Sequence, residues 1–120
     1  MSSLLRSSAE VRGFLSAEGQ YKHGVVELED GQSITVLING NDGWLMYLRE
    51  SGDSGFSTRN PDRNLSGDTL EFYLSNGQRD EYPSHWSYPV DQIAIALDEF
   101  LRTKRIPSQV CWHDDCLPTE

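Results

Sequence analysis

The sequence predicts an α+β fold: an antiparallel β-meander sheet of five or more strands, with a short N-terminal helix and a main C-terminal helix packed on it. Two changes of period carry that prediction. Between Gly24 and Tyr82 apolar residues recur at every second position, in runs separated by Asp-Gly, Asn-Gly and other turn-forming pairs. Between Val90 and Leu101 the spacing becomes i, i+3, i+4, i+7, i+10, i+11 (Val90, Ile93, Ala94, Leu97, Phe100, Leu101), one broad apolar stripe on a helix. A helix this apolar on one side needs a partner surface, and the period-two runs supply a sheet for it.

The first helix is predicted from Ser7-x-x-Glu10, a capping-box spacing in which each side chain satisfies an orphan N–H at the helix start. Val11, Phe14 and Leu15 give it an apolar side, and Gly19 reads as its C-terminal stop. Leu4 and Leu5 before it form a brief extended segment. Three strands then follow at Val25–Glu29, Ser33–Ile38 and Gly43–Arg49. Asp30-Gly31 predicts a two-residue type I′ turn between the first two, and Asn39–Gly43 a longer turn between the next two. The third strand is apolar on both sides, so it should be central and covered twice. Glu50–Gly67 is rich in Gly, Asn and Pro, with a short strand near Phe56–Thr58. Thr69–Leu74 and Gln78–Tyr82 read as a hairpin across Asn76-Gly77, ended by Pro83. The main helix is predicted over Pro89–Lys104, stopped by Pro107, with Val110 and Trp112 alternating in a last short strand.

A chain of 120 residues forms one domain, here 1–120, with a core that needs neither metal nor disulfide. Against 10 basic residues stand 19 acidic ones, a net charge of −9. That balance argues against direct binding to nucleic acid or an anionic membrane, since both need a positive footprint. It suits a basic protein surface, although acidity can also serve solubility alone. No apolar run reaches the ~18 residues of a membrane span, and the first ten residues are too polar for a secretory signal. Cytoplasmic residence is the resulting expectation, with Cys111 and Cys116 as reduced thiols.

Reactive constellations are absent from the pattern. Cys111, His113, Asp114 and Cys116 lie close together, but zinc sites generally need two separated ligand pairs, and His23 and His85 stand alone. Gly52-Asp53-Ser54-Gly55 has a superficial protease look without a matching His and Asp, and it lacks phosphate-loop spacing. The expectation is a non-enzyme without cofactor or metal.

The C-terminal third adds a more specific pattern. Gly77, Glu81, Tyr82 and Pro83 mark a hairpin arm, Pro89, Ala94, Ala96, Leu97, Glu99, Phe100 and Leu101 the helix, and Pro107, Val110 and Trp112 the closing strand. This resembles the Imm1 family of bacterial immunity proteins, closely over 77–112 and in element order over 7–76. At the helix end similar sequences read T-G-x-R-P where this chain has Thr103-Lys104-Arg105-Ile106-Pro107. The resemblance implies a protein that binds a cognate toxin domain one-to-one and covers its active site. Nucleic-acid deaminases and nucleases are among the toxins such proteins accompany, and both need basic, phosphate-attracting clefts. The alternative is an acidic cytosolic interaction module unrelated to toxins.

Tight interfaces combine a few desolvated aromatic anchors with a polar rim. On that criterion Trp86 and Tyr88, following Asp80 and Glu81, form one candidate toxin-binding patch; Asp53, Phe56 and Asp62 on the glycine-rich loop form a second. Trp86 has a competing reading as a plug beneath the sheet, and Trp44 and Trp112 read as core.

Overall fold

The computed structural model describes residues 3–63 and 67–115. The elements run β1 (Ser3–Leu5), α1 (Ser8–Ser16), β2 (Tyr21–Glu27), β3 (Ser33–Asn39), β4 (Asp42–Leu48) and β5 (Phe56–Arg59). There follow β6 (Thr69–Tyr73), β7 (Arg79–Pro83), a 3₁₀ turn (Ser84–Trp86), β8 (Tyr88–Pro89), α2 (Val90–Thr103) and β9 (Cys111–Asp114). Seven strands form the main sheet in the order β1-β2-β3-β4-β5-β9, with β8 pairing the start of β4, and β6-β7 form a second sheet. The fold is therefore α+β with a mostly antiparallel sheet. Among the described strands one pair is parallel, β1 with β2, Leu4 opposite Val25 and α1 making the connection, and the late strands β8 and β9 return to pair with β4 and β5.

Side-chain alternation along the central strands builds three layers. Ile34, Val36 and Ile38 of β3 and Leu45 and Tyr47 of β4 face the helices. There they meet Val11 of α1 and Ile93, Ala96, Leu97 and Phe100 of α2, all but Tyr47 no more than 1% exposed. Leu37 and Trp44 point the other way and bury Phe72 of the β6-β7 hairpin. This is why β4 is apolar on both sides. The hairpin belongs to a separate sheet because it lies across the back of the main one. Its tip reaches β2, where the Ser75 N–H donates to His23 Nδ1 at 3.1 Å, and the Asn39 side chain of β3 donates to the Glu71 carbonyl at 2.9 Å.

The ends of the elements show where local chemistry and tertiary contacts differ. Ser7 caps α1 as its spacing predicts, its Oγ accepting from the Glu10 N–H at 3.2 Å. The return arm reaches one residue further back, the Arg6 N–H donating to Glu10 Oε1 at 2.8 Å. Gly19 does not stop α1; the cap is Ala17, and Gly19 lies in the turn beyond. The predicted turn lengths are exchanged. Type I′ needs positive φ at both central residues, but only Gly31 has it, and the Gly31 N–H and Leu28 N–H bonds close a three-residue loop instead. Leu74, Gly77 and Gln78 repeat that geometry. The two-residue turn is Gly40-Asn41, with Asn39 paired to Asp42.

Helix α2 starts at Val90, whose N–H donates to the Asn41 carbonyl at 2.8 Å, so a neighbouring turn satisfies the first orphan donor. It ends before Pro107 can act. Lys104 takes the left-handed conformation at φ 59° and its N–H bonds Phe100 O, an αL cap made without glycine.

Candidate functional site

Five of the sequence-predicted residues fall at two ends of the main sheet, because β5 divides the glycine-rich stretch, while Asp80 and Glu81 lie on β7 of the hairpin behind it. At one end the chain turns from β4 into β5. Asp53 accepts from Arg49 three times, from its backbone N–H at 3.0 Å and from Nε and Nη2 at 2.8 Å each. Its side chain is only 7% exposed, and Arg49 holds its carboxyl well below the usual carboxylate range. Asp53 is thus a staple that fixes the loop. Phe56 is half-buried beside Tyr47, with the Arg49 guanidinium over its ring at 5.1 Å.

At the other end stand Asp62, Trp86 and Tyr88. The Asn60 side chain donates to Ser87 O at 3.0 Å, and Arg63 bridges Ser87 Oγ at 2.6 Å and Asp42 at 2.7 Å, tying the loop to the connection before α2. Asp62 is exposed there. Tyr88, expected as an exposed anchor, is buried at 3%; its hydroxyl donates to Arg59 O and accepts from the Cys111 N–H. It locks β5 to β9 from inside. Trp86 is half-buried at the end of an aromatic column: Trp44 stacks on Tyr82 at 4.5 Å, Tyr82 on Trp86 at 5.8 Å, and Arg59 covers Trp86 at 3.5 Å. Its ring is engaged within the protein, as the plug reading expects. Asp80 faces the main sheet and accepts from Tyr82 and Gln78, while exposed Glu81 pairs with Arg79 at 3.1 Å.

A feature absent from the sequence reading lies at the β4-β5 end. A cleft of about 1120 Å³ opens between the β2-β3 turn and the β4-β5 loop. Leu28, Leu48 and Leu101 supply apolar lining, and Glu27, Glu29 and Asp30 stand on one wall. Both walls are fixed. Asp53 staples one; Gln32 holds the other, accepting from the Tyr47 hydroxyl at 2.7 Å and donating to Asp30 at 2.8 Å and to Lys104 O at 2.9 Å. The Gln32 bonds lower the Asp30 pKa. Glu29 and Glu50 are exposed and, among the described residues, have no internal partner.

A model of the immunity protein Imm1 family matches residues 2–114. The chain belongs to the Imm1 immunity protein family. Membership brings a toxin-neutralising immunity role and a protein toxin as partner, and it points away from catalysis. No curated protein matches the chain. The motif residues that carry the Imm1 resemblance are mostly framework: Leu97 and Phe100 fill the core, Trp112 donates to Pro107 O at 2.8 Å, and Glu99 Oε2 accepts from Ser108. Among the described residues no three His, Cys, Asp or Glu side chains are placed to hold a metal, and no helix is long and apolar enough to cross a membrane. Cys111 is a free, exposed thiol; Cys116 lies outside the described residues.

The cleft escapes sequence reasoning because its walls come from residues about twenty positions apart, joined only by register. Asp30 and Ser51 line the same cleft because Ser33 pairs with Leu48. The one local signal was the apolar character of Leu28 and Leu48 at strand ends, next to turns.

Proposed function

We propose that this Imm1 protein acts in the cytoplasm of the toxin-producing cell, binds one cognate toxin domain one-to-one, and covers its active site without doing chemistry. The toxin class that fits best is a nucleic-acid deaminase or nuclease. The observation that carries this reading is the net charge of −9 on a family member whose surface presents carboxylates that, among the described residues, have no internal partner. Glu29 and Glu50 lie at one end of the sheet and Asp62 and Asp91 at the other. A toxin acting on a polyanion exposes arginines and lysines that grip phosphate. Carboxylates on rigid turns meet the same groups, so the inhibitor excludes the nucleic acid by occupying its contacts and does not bind nucleic acid itself. Long-range attraction speeds capture, and packed apolar contacts slow release.

Co-expression with the C-terminal toxin domain encoded beside this chain should restore growth, while unrelated toxins should remain lethal. In stopped-flow measurements the association rate should fall steeply as ionic strength rises, because exposed charges are screened beyond about 8–10 Å near physiological salt. A folded protein that neither protects nor binds refutes the immunity reading. A salt-independent association rate refutes its electrostatic part, and a co-structure with the toxin's active site open to solvent refutes occlusion.

A further inference from the structure

Resting on that immunity reading, we infer that the cleft between the β2-β3 turn and the β4-β5 loop is the docking groove, and that its occupant is a toxin segment bearing arginine or lysine beside an apolar side chain. The opposite end of the sheet is the competing surface, since Asp62, Asp91 and Trp86 stand there. Three observations decide between them.

Shape comes first. The cleft of about 1120 Å³ lies between two loops and the end of α2, with room for a side chain and its neighbours on a partner segment. At the other end the aromatic that would anchor a partner already lies under Arg59 and against Tyr82.

Charge comes second. The charges of the groove are partly engaged: Arg6 pairs with Glu27 at 3.2 Å, and the Asp30 carboxylate accepts from the Gln32 side chain at 2.8 Å, with Lys104 a minor influence on it. Among the described residues Glu29 on one wall has no ion-pair partner, nor has Glu50 immediately before the lining residues Ser51 and Gly52. A cation entering above Leu28, Leu48 and Leu101 would find carboxylates at the rim and apolar surface below. Such a floor favours a side chain with an aliphatic stem or an apolar neighbour over a hydrated small cation.

Rigidity comes third. Both walls are held before any partner arrives, one by Asp53 with Arg49 and the other by Gln32 with Tyr47, Asp30 and Lys104 O. Pre-ordered loops lose little conformational freedom on association. Asp53 is accordingly a positioning residue for the groove.

The test uses the full chain and the purified, catalytically inactivated toxin domain encoded beside it. The variant Glu29→Lys/Ser51→Arg changes two exposed positions, reverses the free charge and places bulk at the wall. It should melt like the parent and weaken binding by about 100-fold or more, the scale of a lost hot spot. Asp62→Lys/Asp91→Lys, which shifts the charge at the other end by +4 against +3 for the groove variant, should stay within about threefold, since remote charges act mainly through the association rate. The reverse pattern, or equal losses in both variants, overturns the groove while leaving the immunity function intact. If the parent fails to bind that toxin, the immunity reading fails and the groove proposal with it.

Discussion

Lys104 offers a test in which the sign of an effect is reversed. Inside a helix, replacing alanine by glycine costs about 1 kcal/mol, because glycine has more backbone freedom to lose. At φ 59° and ψ 34° the order inverts: the left-handed conformation costs a residue with Cβ roughly 1–2 kcal/mol, and glycine almost nothing. Lys104→Ala and Lys104→Gly both remove the same charge from the end of α2 and from beside Asp30, so those electrostatic losses cancel in the comparison. What remains is the strain relieved by glycine minus its extra unfolded-state entropy. The glycine variant should therefore be more stable than the alanine variant by about 1 kcal/mol. For a chain of this size that separates the midpoints of thermal unfolding by about 3–5 °C. Urea unfolding followed by far-UV circular dichroism should show the same difference in midpoint with equal slopes. An alanine variant as stable as the glycine variant would show that α2 does not end in a left-handed cap.

Other elements give independent checks. Phe72→Ala should cost about 3–5 kcal/mol, because Phe72 is 1% exposed and joins the β6-β7 hairpin to Leu37 and Trp44; a loss below about 1 kcal/mol would mean the hairpin opens separately from the main sheet. Leu97→Asp should abolish the folded circular dichroism spectrum, since an unpaired buried carboxylate costs several kcal/mol against a total stability of roughly 5–15 kcal/mol. A folded variant would show that the wrong face of α2 had been assigned to the core. The hairpin tip should be sensitive to pH: Ser75 N–H donates to His23 Nδ1, so that nitrogen must be unprotonated. Burial lowers the His23 pKa, with Asp80 opposing. The unfolded chain therefore takes up the proton first, and this contact stabilises fully above about pH 6.5 and is lost as pH falls below it. The Ser75 amide shift should titrate in that window in the parent and not in His23→Gln; an identical titration in both would exclude the contact.

Periodicity revealed which residues share a face, and the physics of each strand made that legible. It left open which sheet each strand joins. Leu70, Phe72 and Leu74 alternate identically whether their strand extends the meander or lies across its back, and only the tertiary positions of His23 and Asn39 decide for the second. Helix α2 was readable because its stripe is long; its ends were less so, since Val90 is capped by a carbonyl from another turn and Lys104 adopts a conformation its residue type disfavours. For the candidate site, aromatic and acidic residue types were visible but their availability was not. Tyr88 looks like an anchor until its hydroxyl is found between Arg59 O and the Cys111 N–H. Asp53 lies only four residues from Arg49, yet a loop sequence does not announce that both will meet.

Availability changes how the charge of an inhibitor should be understood. Asp42, Asp53, Glu71 and Glu81 are held by arginines, and Glu99 accepts from Ser108. These carboxylates order loops and join elements, and their fields are largely answered within the protein. Screening makes distant exposed charges act over only about 8–10 Å at physiological salt. A partner approaching the surface therefore senses local free carboxylates more than the overall net charge of −9. Two proteins with the same net charge can differ in capture rate if one uses its acids internally. Here the internal pairs and the free acids meet at the same groove: Asp53 fixes the wall beyond which Glu50 projects, and Gln32 fixes the turn that carries Glu29. On the proposed groove reading, structural carboxylates hold the carboxylates offered to the toxin in place, and the acidic composition then serves folding and capture through different residues.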